Sequence, residues 1–193
     1  MKAQPLRKWV IGLSGVMLSG KSTALAFFKQ NGATVVSADE IVGELYAQPA
    51  VKAQLAALFG TADKTILASL VFKDKNKRQD LEKFLHPLVL KQMRRQIKTA
   101  QTPLVVCEIP LLFEAGWEKW VDMTLVVSAD KKTLPARLKG RRLSAAQYKR
   151  RLKHQLPEEE KCHRADMVLC HASKTDLGLK IKRLCQAFDL LSK

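Results

Sequence analysis

The sequence predicts an α/β fold in which helices cover both faces of a five-stranded parallel sheet. Short apolar runs typical of buried strands alternate with helical patterns along the 193 residues, which favours a parallel sheet between helices. A hydrophobic fraction of 47% supplies enough apolar side chains for one core. This length fits a single compact domain, so we expect one domain over residues 1–193.

Five apolar runs are the predicted strands of this sheet. They cover residues 9–13, 34–36, 104–109, 123–127 and 167–169. Helices are predicted over residues 21–30, 41–59 with a break near Pro49, 78–100 with an interruption where His86 precedes Pro87, 131–139, 145–154, 158–164 and 175–191. The first two strands enclose one helix, so they form a βαβ unit with parallel strands and a right-handed crossover.

The charge balance is strongly basic, with 34 Lys and Arg residues against 18 Asp and Glu residues. A formal charge of +16 attracts polyanions, which include nucleotides, nucleic acids and anionic membranes. The densest basic run, residues 137–153, lies in predicted helices rather than in a tail. This distribution argues against a disordered nucleic-acid-binding arm, although charge alone does not separate RNA from a nucleotide.

The cysteines indicate a cellular compartment. Cys107, Cys162, Cys170 and Cys185 show no CxxC pair and no spacing typical of metal ligands. The apolar run at residues 9–13 is too short for export or for a membrane span. Unpaired thiols without an export signal are typical of a reducing environment, so we expect a cytoplasmic protein.

The most specific feature is a match to the phosphate-binding pattern G-x-x-x-x-G-K-[ST], placed between a predicted strand and a predicted helix. The loop consists of Gly15, Val16, Met17, Leu18, Ser19, Gly20, Lys21, Ser22 and Thr23. Its glycines let the backbone curl so that N–H groups line an anion-sized concavity, and the following helix adds the positive end of its dipole. The alternative, an ordinary strand–turn–helix with a surface lysine, is disfavoured by this context.

This loop predicts ATP and Mg²⁺ as ligands. Lys21 places a compact positive charge on the β- and γ-phosphates, and the Ser22 hydroxyl is suited to ligate Mg²⁺. GTPases, motor ATPases and small-molecule kinases all use such loops. The chain is too short for most ATPase motors and lacks the D-x-x-G and N-K-x-D sequences of GTPases, which leaves a small-molecule kinase.

Further segments occur in the order typical of one kinase family. They are Ile11 to Thr23, Val35 to Ile41 against a D-A-D-x-I pattern, Leu85 to Leu88, Pro110 to Glu114, Arg137-Leu138 with Arg141, Gln155, and Arg164 to Asp166. From about residue 9 to residue 170 the chain thereby resembles the dephospho-coenzyme A kinases. The resemblance implies a P-loop kinase fold with a core of residues 7–40, 101–136 and 165–193, a helical acceptor-binding excursion over about 41–100 and a basic helical lid over about 137–164.

The resemblance also implies a reaction: transfer of the γ-phosphoryl group of MgATP to the ribose 3′-hydroxyl of dephospho-coenzyme A, the last step of coenzyme A biosynthesis. A hydroxyl nucleophile needs a proton acceptor, and Asp39 follows the second predicted strand, where doubly wound sheets place ligands. We therefore assign Asp39 as that acceptor; the alternative is an N-cap for the helix near Glu40. Lys21 and Arg141 complete the predicted catalytic set.

Binding residues are predicted around this set. Arg141 and Arg137 are expected to clamp the ATP phosphates from the lid, because the arginine fork matches phosphate geometry; the alternative is a solvated basic helix face. Glu108 is a candidate for a water-mediated Mg²⁺ contact or a simple strand-end acid. The acceptor side is assigned to Ser14, Asp39, His86, Pro110, Leu111, Leu112, Phe113 and Glu114, of which His86 can equally mark a helix break and residues 111–113 can equally be packing.

Three places depart from the family pattern. Val16 and Leu18 stand where extra glycines are usual, which is expected to alter loop flexibility but not phosphate binding. Ser37 replaces the first acid of D-A-D, and we expect its hydroxyl to hold a Mg²⁺-bound water at some cost in metal affinity. Cys170-His171 replaces an Asp-Asn pair, which leaves the adenine contacts open.

Two other functions stay open on the sequence alone: a kinase for another nucleoside-like or nucleotide acceptor, and a weakened nucleotide- or RNA-binding relative. The basic charge and the changed positions motivate the second. Lys21, Ser22 and Asp39 together, without any RNP-like or KH-like motif, argue against it. We expect a monomer or weak homo-oligomer whose partners are ATP and dephospho-coenzyme A, with no nucleic acid and no membrane.

Overall fold

The computed structural model describes residues 8–141, 144–153 and 155–191. Residues 1–7 and 192–193 of the predicted domain, and residues 142, 143 and 154 of the predicted lid, lie outside this part of the chain. The described strands are β1 (Trp9–Ser14), β2 (Thr34–Ser37), β3 (Leu104–Glu108), β4 (Met123–Ala129) and β5 (Met167–His171). They form one sheet in the order β2-β3-β1-β4-β5, which confirms the predicted five-stranded parallel sheet.

The helices lie between the strands in the chain, except the last one, which follows β5. Their described bounds are α1 (Lys21–Gln30), α2 (Ala38–Ala47), α3 (Pro49–Phe59), α4 (Lys64–Lys73), α5 (Lys75–Thr99), α6 (Leu134–Gly140), α7 (Ala145–Leu152), α8 (Glu158–Arg164) and α9 (Lys174–Leu191). Short 3₁₀ turns cover Trp117–Trp120 and Lys131–Thr133. In the part of the chain covered by these bounds, no single helix has both the length and the apolar character of a membrane span, although α3 and α4 together, with a 40° bend, do by length and composition.

The chain divides into two compact units. The sheet unit comprises Met1–Val36 and Ala100–Lys193, and the helical unit comprises Ser37–Thr99. The predicted basic lid is part of the sheet unit.

The strand register brings the carboxyl ends of the central strands to one edge of the sheet. In β1, Leu13 is opposite Glu108 of β3, and Ser14 is opposite Val126 of β4. At the far side of the sheet, Ala129 of β4 is opposite His171, the last residue of β5. Loops that follow these strands therefore leave the sheet at the same edge, which is where parallel α/β sheets bind ligands.

The side chains of β1 alternate between two faces, as the pleat of a strand requires. Ile11 and Leu13 are fully buried in a cluster that includes Phe28 of α1 and Ile181 of α9. On the opposite face, Gly12 lies against the side chain of Leu112, which a Cβ on this glycine would approach to 3.1 Å. The core under α1 and α9 thus holds β1 in register and fixes the start of the loop that follows it.

Two differences from the predicted elements lie in the helical unit. Helix α4 was missed by the sequence analysis, although Asp63 caps it by accepting hydrogen bonds from the backbone N–H groups of Thr65 and Ile66. Helix α5 runs without interruption through Pro87, so the predicted break at this residue is wrong. Proline removes one backbone hydrogen bond, and the burial of Leu85 and Val89 on either side keeps the helix continuous.

Candidate active site

Two glycines shape the loop between β1 and α1. Gly15 and Gly20 have φ values of 145° and 103°, in a region that residues with a Cβ rarely adopt. A Cβ on Gly15 would lie 2.5 Å from the Val127 carbonyl oxygen, and one on Gly20 would lie 2.8 Å from Nε2 of His171. Both positions therefore need glycine for the backbone conformation and for close packing.

Leu18 occupies the third unusual backbone position of this loop. Its φ is 67°, and among the described residues it is the one residue other than glycine with a positive φ. Such a conformation costs about 1–3 kcal/mol for a residue with a side chain. Arg137 Nη1 donates a hydrogen bond of 2.8 Å to the Leu18 carbonyl oxygen, so a side chain of α6 holds this turn of the loop.

Lys21 reaches back over the loop that precedes it. Its Nζ donates to the carbonyl oxygens of Gly15 at 2.8 Å and Val16 at 3.0 Å. The ammonium group therefore lies inside the curl of the loop. The acceptors in both of these bonds are backbone carbonyl oxygens and not carboxylates. Loop carbonyls are acceptors that a strongly charged phosphate can replace, because charge-assisted hydrogen bonds are stronger than neutral ones.

The start of α1 offers backbone donors. Gly20 is its N-cap residue and makes no side-chain capping hydrogen bond, and the first turn contains no acidic residue. The Ser22 side chain in this turn is exposed, whereas Ser19, just before the helix, is 2% exposed. In the described part of the chain, the Ser19 hydroxyl has no hydrogen-bond partner. A helix N-terminus with these features is suited to an anion rich in oxygen atoms.

The carboxyl ends of β1 and β3 bring Ser14 and Glu108 to the same edge. Glu108 is 8% exposed, next to Leu13 in the register of the sheet. Ser14 is fully buried, and its hydroxyl donates to the Pro110 carbonyl oxygen at 3.2 Å. The predicted acceptor segment that begins at Pro110 is thus tied to the end of β1, directly before the loop.

Lys161 of α8 was not singled out by the sequence analysis, yet it organises this segment. The side chain is fully buried, and its Nζ donates to the Pro110 carbonyl oxygen at 2.8 Å and pairs with Glu114 Oε1 at 2.8 Å. The same carboxylate oxygen accepts a hydrogen bond from the backbone N–H of Leu156 at 2.8 Å. Nothing in the sequence marks this lysine, because a lysine in a basic helical segment usually lies at the surface.

The middle of the predicted acceptor segment packs into the interior. Leu112 is fully buried and Phe113 is 3% exposed, whereas Leu111 is half-buried. The Arg164 guanidinium lies 5.1 Å from the centre of the Phe113 ring, donates to the Phe113 carbonyl oxygen and pairs with Glu118. For residues 112 and 113 these contacts favour the packing alternative over substrate contact.

Asp39 lies in the helical unit, in the first turn of α2, and its side chain is exposed. The N-cap of this helix is Ser37, whose hydroxyl oxygen accepts a hydrogen bond from the backbone N–H of Glu40 at 3.4 Å. The alternative that Asp39 caps the helix is therefore wrong, and its carboxylate is not used for capping. Its role as proton acceptor stays a prediction.

His86 also belongs to the helical unit and lies within α5, one residue before Pro87. Its side chain is half-buried, and this burial lowers the pKa of the imidazole below the usual 6.5, although nearby Glu82 opposes the change. The lowered pKa favours the neutral form of the ring at pH 7. A neutral imidazole can exchange hydrogen bonds with a substrate but does not supply a positive charge to a phosphate group.

The lid residues differ in their contacts with the loop. Arg137 contacts the loop through Leu18, whereas Arg141 follows the end of α6 and is exposed. His171, at the end of β5, is 6% exposed and places Nε2 at 2.8 Å from the Ser19 carbonyl oxygen. In the sequence, His171 is only a departure from a family pattern, and no sequence signal places it against the loop.

The side chains near the loop include oxygen atoms that fit a bound Mg²⁺ ion. Within the described residues, no group of three or more His, Cys, Asp and Glu side chains is placed to hold one. Mg²⁺ does not require such a group, because it commonly binds through one or two protein oxygens, several waters and the phosphates of a substrate. The exposed Ser22 hydroxyl and the Glu108 carboxylate at the strand edge fit this mode of binding.

The comparisons with known proteins agree with each other. The family model described as dephospho-CoA kinase matches residues 9–176. A dephospho-CoA kinase from Symbiobacterium thermophilum is 35% identical over 180 residues, which cover 86% of this chain and 75% of the relative.

Solved structures give the same result for the fold. The crystal structure of TT1252 from Thermus thermophilus is similar with a TM-score of 0.85 at 32% identity, over 97% of this chain and 100% of that chain. The structure of a dephospho-CoA kinase from Campylobacter jejuni has a TM-score of 0.67 at 24% identity, over 95% of this chain and 98% of that chain, and so supports the fold.

Proposed function

The chain belongs to the dephospho-CoA kinase family, and from this membership we propose that it transfers the γ-phosphoryl group of ATP to the ribose 3′-hydroxyl of dephospho-coenzyme A, giving coenzyme A and ADP. The observation that carries this proposal is the loop of residues 15–23, with Lys21 Nζ held inside its curl. The acceptor is assigned from the family membership, and the triphosphate of ATP is assigned to the loop.

On ATP binding, Lys21 exchanges the carbonyl oxygens of Gly15 and Val16 for phosphate oxygens. Its charge and the N–H groups at the start of α1 then stabilise the negative charge that spreads over the γ-phosphoryl group. Arg137 and Arg141 contribute further positive charge from the lid. In this reaction positioning and charge stabilisation are the main contributions of the protein.

Asp39 accepts the proton of the 3′-hydroxyl as its oxygen attacks the γ-phosphorus. The bond between that phosphorus and the β,γ-bridging oxygen breaks, and ADP leaves with the bond electrons. Mg²⁺, when bound, neutralises charge on the β- and γ-phosphates, and Ser22 and Glu108 would hold it together with those phosphates. Ser37 would support a water of that ion through its hydroxyl group.

The acceptor side is assigned from the family resemblance, residue by residue. We assign Ser14, Asp39, His86 and the segment from Pro110 to Glu114 to the acceptor. Leu112 and Phe113 act there by packing, since both are buried.

We also propose that the protein acts in the cytoplasm as a monomer or weak homo-oligomer, without nucleic acid. Four free cysteines support a reducing compartment. Burial raises the pKa of Cys107 to about 12 and that of Cys185 to about 11, so both thiols stay protonated and inert at neutral pH.

The function is tested with an acceptor panel and one substitution. Purified protein is expected to consume ATP with dephospho-coenzyme A and not with adenosine monophosphate. Asp39→Asn is expected to lower kcat by roughly 100-fold or more while the Kd for MgATP stays within about twofold, because it removes a proton acceptor and no phosphate contact. Glu40→Gln, a change at the neighbouring exposed acid, is the matched control and should leave kcat unchanged. Phosphate transfer to the monophosphate alone would refute the substrate assignment.

A further inference from the structure

His171 makes a contact with the loop that the reaction described above does not use. It is the last residue of β5, and its ring is buried against the loop, with Nε2 at 2.8 Å from the Ser19 carbonyl oxygen. Its Nδ1 is 3.3 Å from the carbonyl oxygen of Ser173. The ring also lies so close to Gly20 that a Cβ there would be 2.8 Å from Nε2.

We propose that His171 is a positioning residue that sets the orientation of the Ser19–Gly20 peptide group and so directs the Gly20 N–H toward the phosphates of ATP. The inference rests on the proposed function only in that the loop binds a triphosphate. Both ring nitrogens face carbonyl oxygens, which can only accept a hydrogen bond, and we assign the proton to Nε2 because its contact is the shorter of the two.

The physical basis is the planarity of the peptide bond. In a trans peptide the C=O and the following N–H point in opposite directions, and rotation about the C–N bond is blocked. When His171 holds the Ser19 carbonyl oxygen on the β5 side of the loop, the Gly20 N–H must point away from β5. A free peptide group next to glycine would otherwise rotate easily, because Gly20 tolerates both signs of φ.

This chain has a specific need for such a contact. Leu18 is held in a left-handed conformation that a residue with a side chain disfavours, and this disfavoured geometry is adjacent to Ser19. Two consecutive carbonyl oxygens are held from outside the loop, that of Leu18 by Arg137 at 2.8 Å and that of Ser19 by His171 at 2.8 Å. Two side chains from α6 and β5 thus fix the loop geometry that phosphate binding requires.

Two substitutions separate the two ring nitrogens. The amide nitrogen of asparagine falls near the place of Nδ1, so His171→Asn loses the bond to Ser19. The longer glutamine places its amide nitrogen near Nε2, so His171→Gln can restore that bond. Lys180→Ala is the matched control, because Lys180 Nζ donates to the carbonyl oxygen of Cys170, one residue away, at 2.7 Å.

The measurement is calorimetric binding of MgATP without acceptor, so it does not depend on turnover. We expect His171→Asn to raise the Kd for MgATP about tenfold, the effect of losing one well-placed hydrogen bond, and His171→Gln to stay within about threefold of wild type. The KM for dephospho-coenzyme A should stay within about twofold in both variants. General loosening of the fold would instead change both the Kd for MgATP and this KM. Lys180→Ala should bind MgATP as wild type does.

Wild-type binding by His171→Asn, or equal weakening in His171→Asn and Lys180→Ala, would overturn the proposal. The wild-type protein offers a measurement that needs no variant: with ¹⁵N-labelled histidine, one imidazole Nε2–H proton should be protected from exchange with water, and its absence would also count against the proposal. If wild type binds MgATP but does not phosphorylate dephospho-coenzyme A, the proposed function fails and the role of His171 stands.

Discussion

Leu18 has a left-handed backbone conformation that glycine adopts without strain. The loop has no glycine at this position but keeps the geometry that encloses the lysine. With φ at 67°, Leu18 is strained, yet the loop still encloses Lys21 Nζ because Arg137 and His171 hold the neighbouring carbonyl oxygens. The general pattern fixes only the first and last glycines, and those were predictable from sequence. The two external contacts were not, because they join residues more than 100 positions apart.

Replacing Leu18 by glycine should therefore stabilise the protein. Leu18→Gly removes the left-handed strain and is expected to raise the free energy of unfolding by about 1 kcal/mol, the lower range of such strain, after the entropy cost of glycine is subtracted. Urea denaturation measures this change. Met17→Gly is the control at the adjacent position, where φ is not positive, and should lower the free energy of unfolding by about 0.5–1 kcal/mol. Equal losses in both variants would contradict the assignment of strain to residue 18.

Asp166 gives the protein a predictable dependence on pH. Its Oδ2 accepts hydrogen bonds from the Thr124 hydroxyl at 2.6 Å and the Thr124 N–H at 2.8 Å, and these bonds lower the pKa of the carboxyl below its ordinary 3.8. Because the folded pKa is below the unfolded pKa, the stabilisation is present above the ordinary value and disappears as pH falls through the folded one.

The difference in unfolding free energy between wild type and Asp166→Asn should be constant from about pH 5 to pH 7 and should shrink below about pH 4. Urea denaturation over a pH series measures it. Glu160→Gln, which removes an exposed carboxylate outside this pair, is the control for a general effect of losing one acidic group. A difference that is the same at pH 3 and pH 7 would mean that these bonds do not depend on the charge of Asp166.

At the level of elements, burial and capping explain which helices and strands are predictable from the sequence and which are not. The strands were predictable because their apolar runs are short and lie between turns. The start of helix α4 is marked in the sequence by its N-cap residue, Asp63. No sequence signal marks the continuation of α5 through Pro87, because this continuation depends on packing rather than on local helix preference. Helix α8 was predicted, but not that Lys161 anchors it through Glu114 and the Pro110 carbonyl oxygen.

The anchor of α8 should be sensitive to loss of one charge. Lys161→Met leaves Glu114 without its ion-pair partner at a largely buried site, and we expect the free energy of unfolding to fall by roughly 3–5 kcal/mol. The double variant Lys161→Met with Glu114→Gln should recover a large part of this loss, since no uncompensated charge remains.

The surface pair Lys131–Glu159 supplies the control for this experiment. Its side chains are 78% and 88% exposed, and Lys131→Met should change the free energy of unfolding by about 0.5 kcal/mol or less. If the buried and the surface substitution have the same effect in urea denaturation, Lys161 is not an anchor.

At the level of the whole molecule, the sequence predicted the sheet but not the insertion of β3 between β1 and β2. The predicted βαβ unit of β1, α1 and β2 is therefore not a pair of neighbouring strands. The order of strands depends on contacts between distant residues, for which a single sequence carries no local signal. The two compact units likewise follow from packing and not from a linker in the sequence.

Binding of MgATP should stabilise the sheet unit and so raise the melting temperature of the protein. At a MgATP concentration of 100 times Kd, the gain is about 2.7 kcal/mol, or roughly 5–10 °C for a chain of this size. Thermal denaturation with MgATP, with ATP plus EDTA and with neither measures the contribution of Mg²⁺. The shift should be smaller with EDTA and should disappear in Lys21→Ala; a full shift in that variant would show that ATP binds elsewhere.

The strand order also determines how long β1 stays without its neighbouring strands during synthesis. Both neighbours of β1, namely β3 and β4, are encoded after residue 100, so a nascent chain that ends at Thr99 presents the backbone of β1 with neither sheet partner. Its apolar side chains are exposed during that interval and are liable to association with other chains. Translation of the helical unit delays the closure of the sheet, and chaperone demand should therefore peak before β3 emerges.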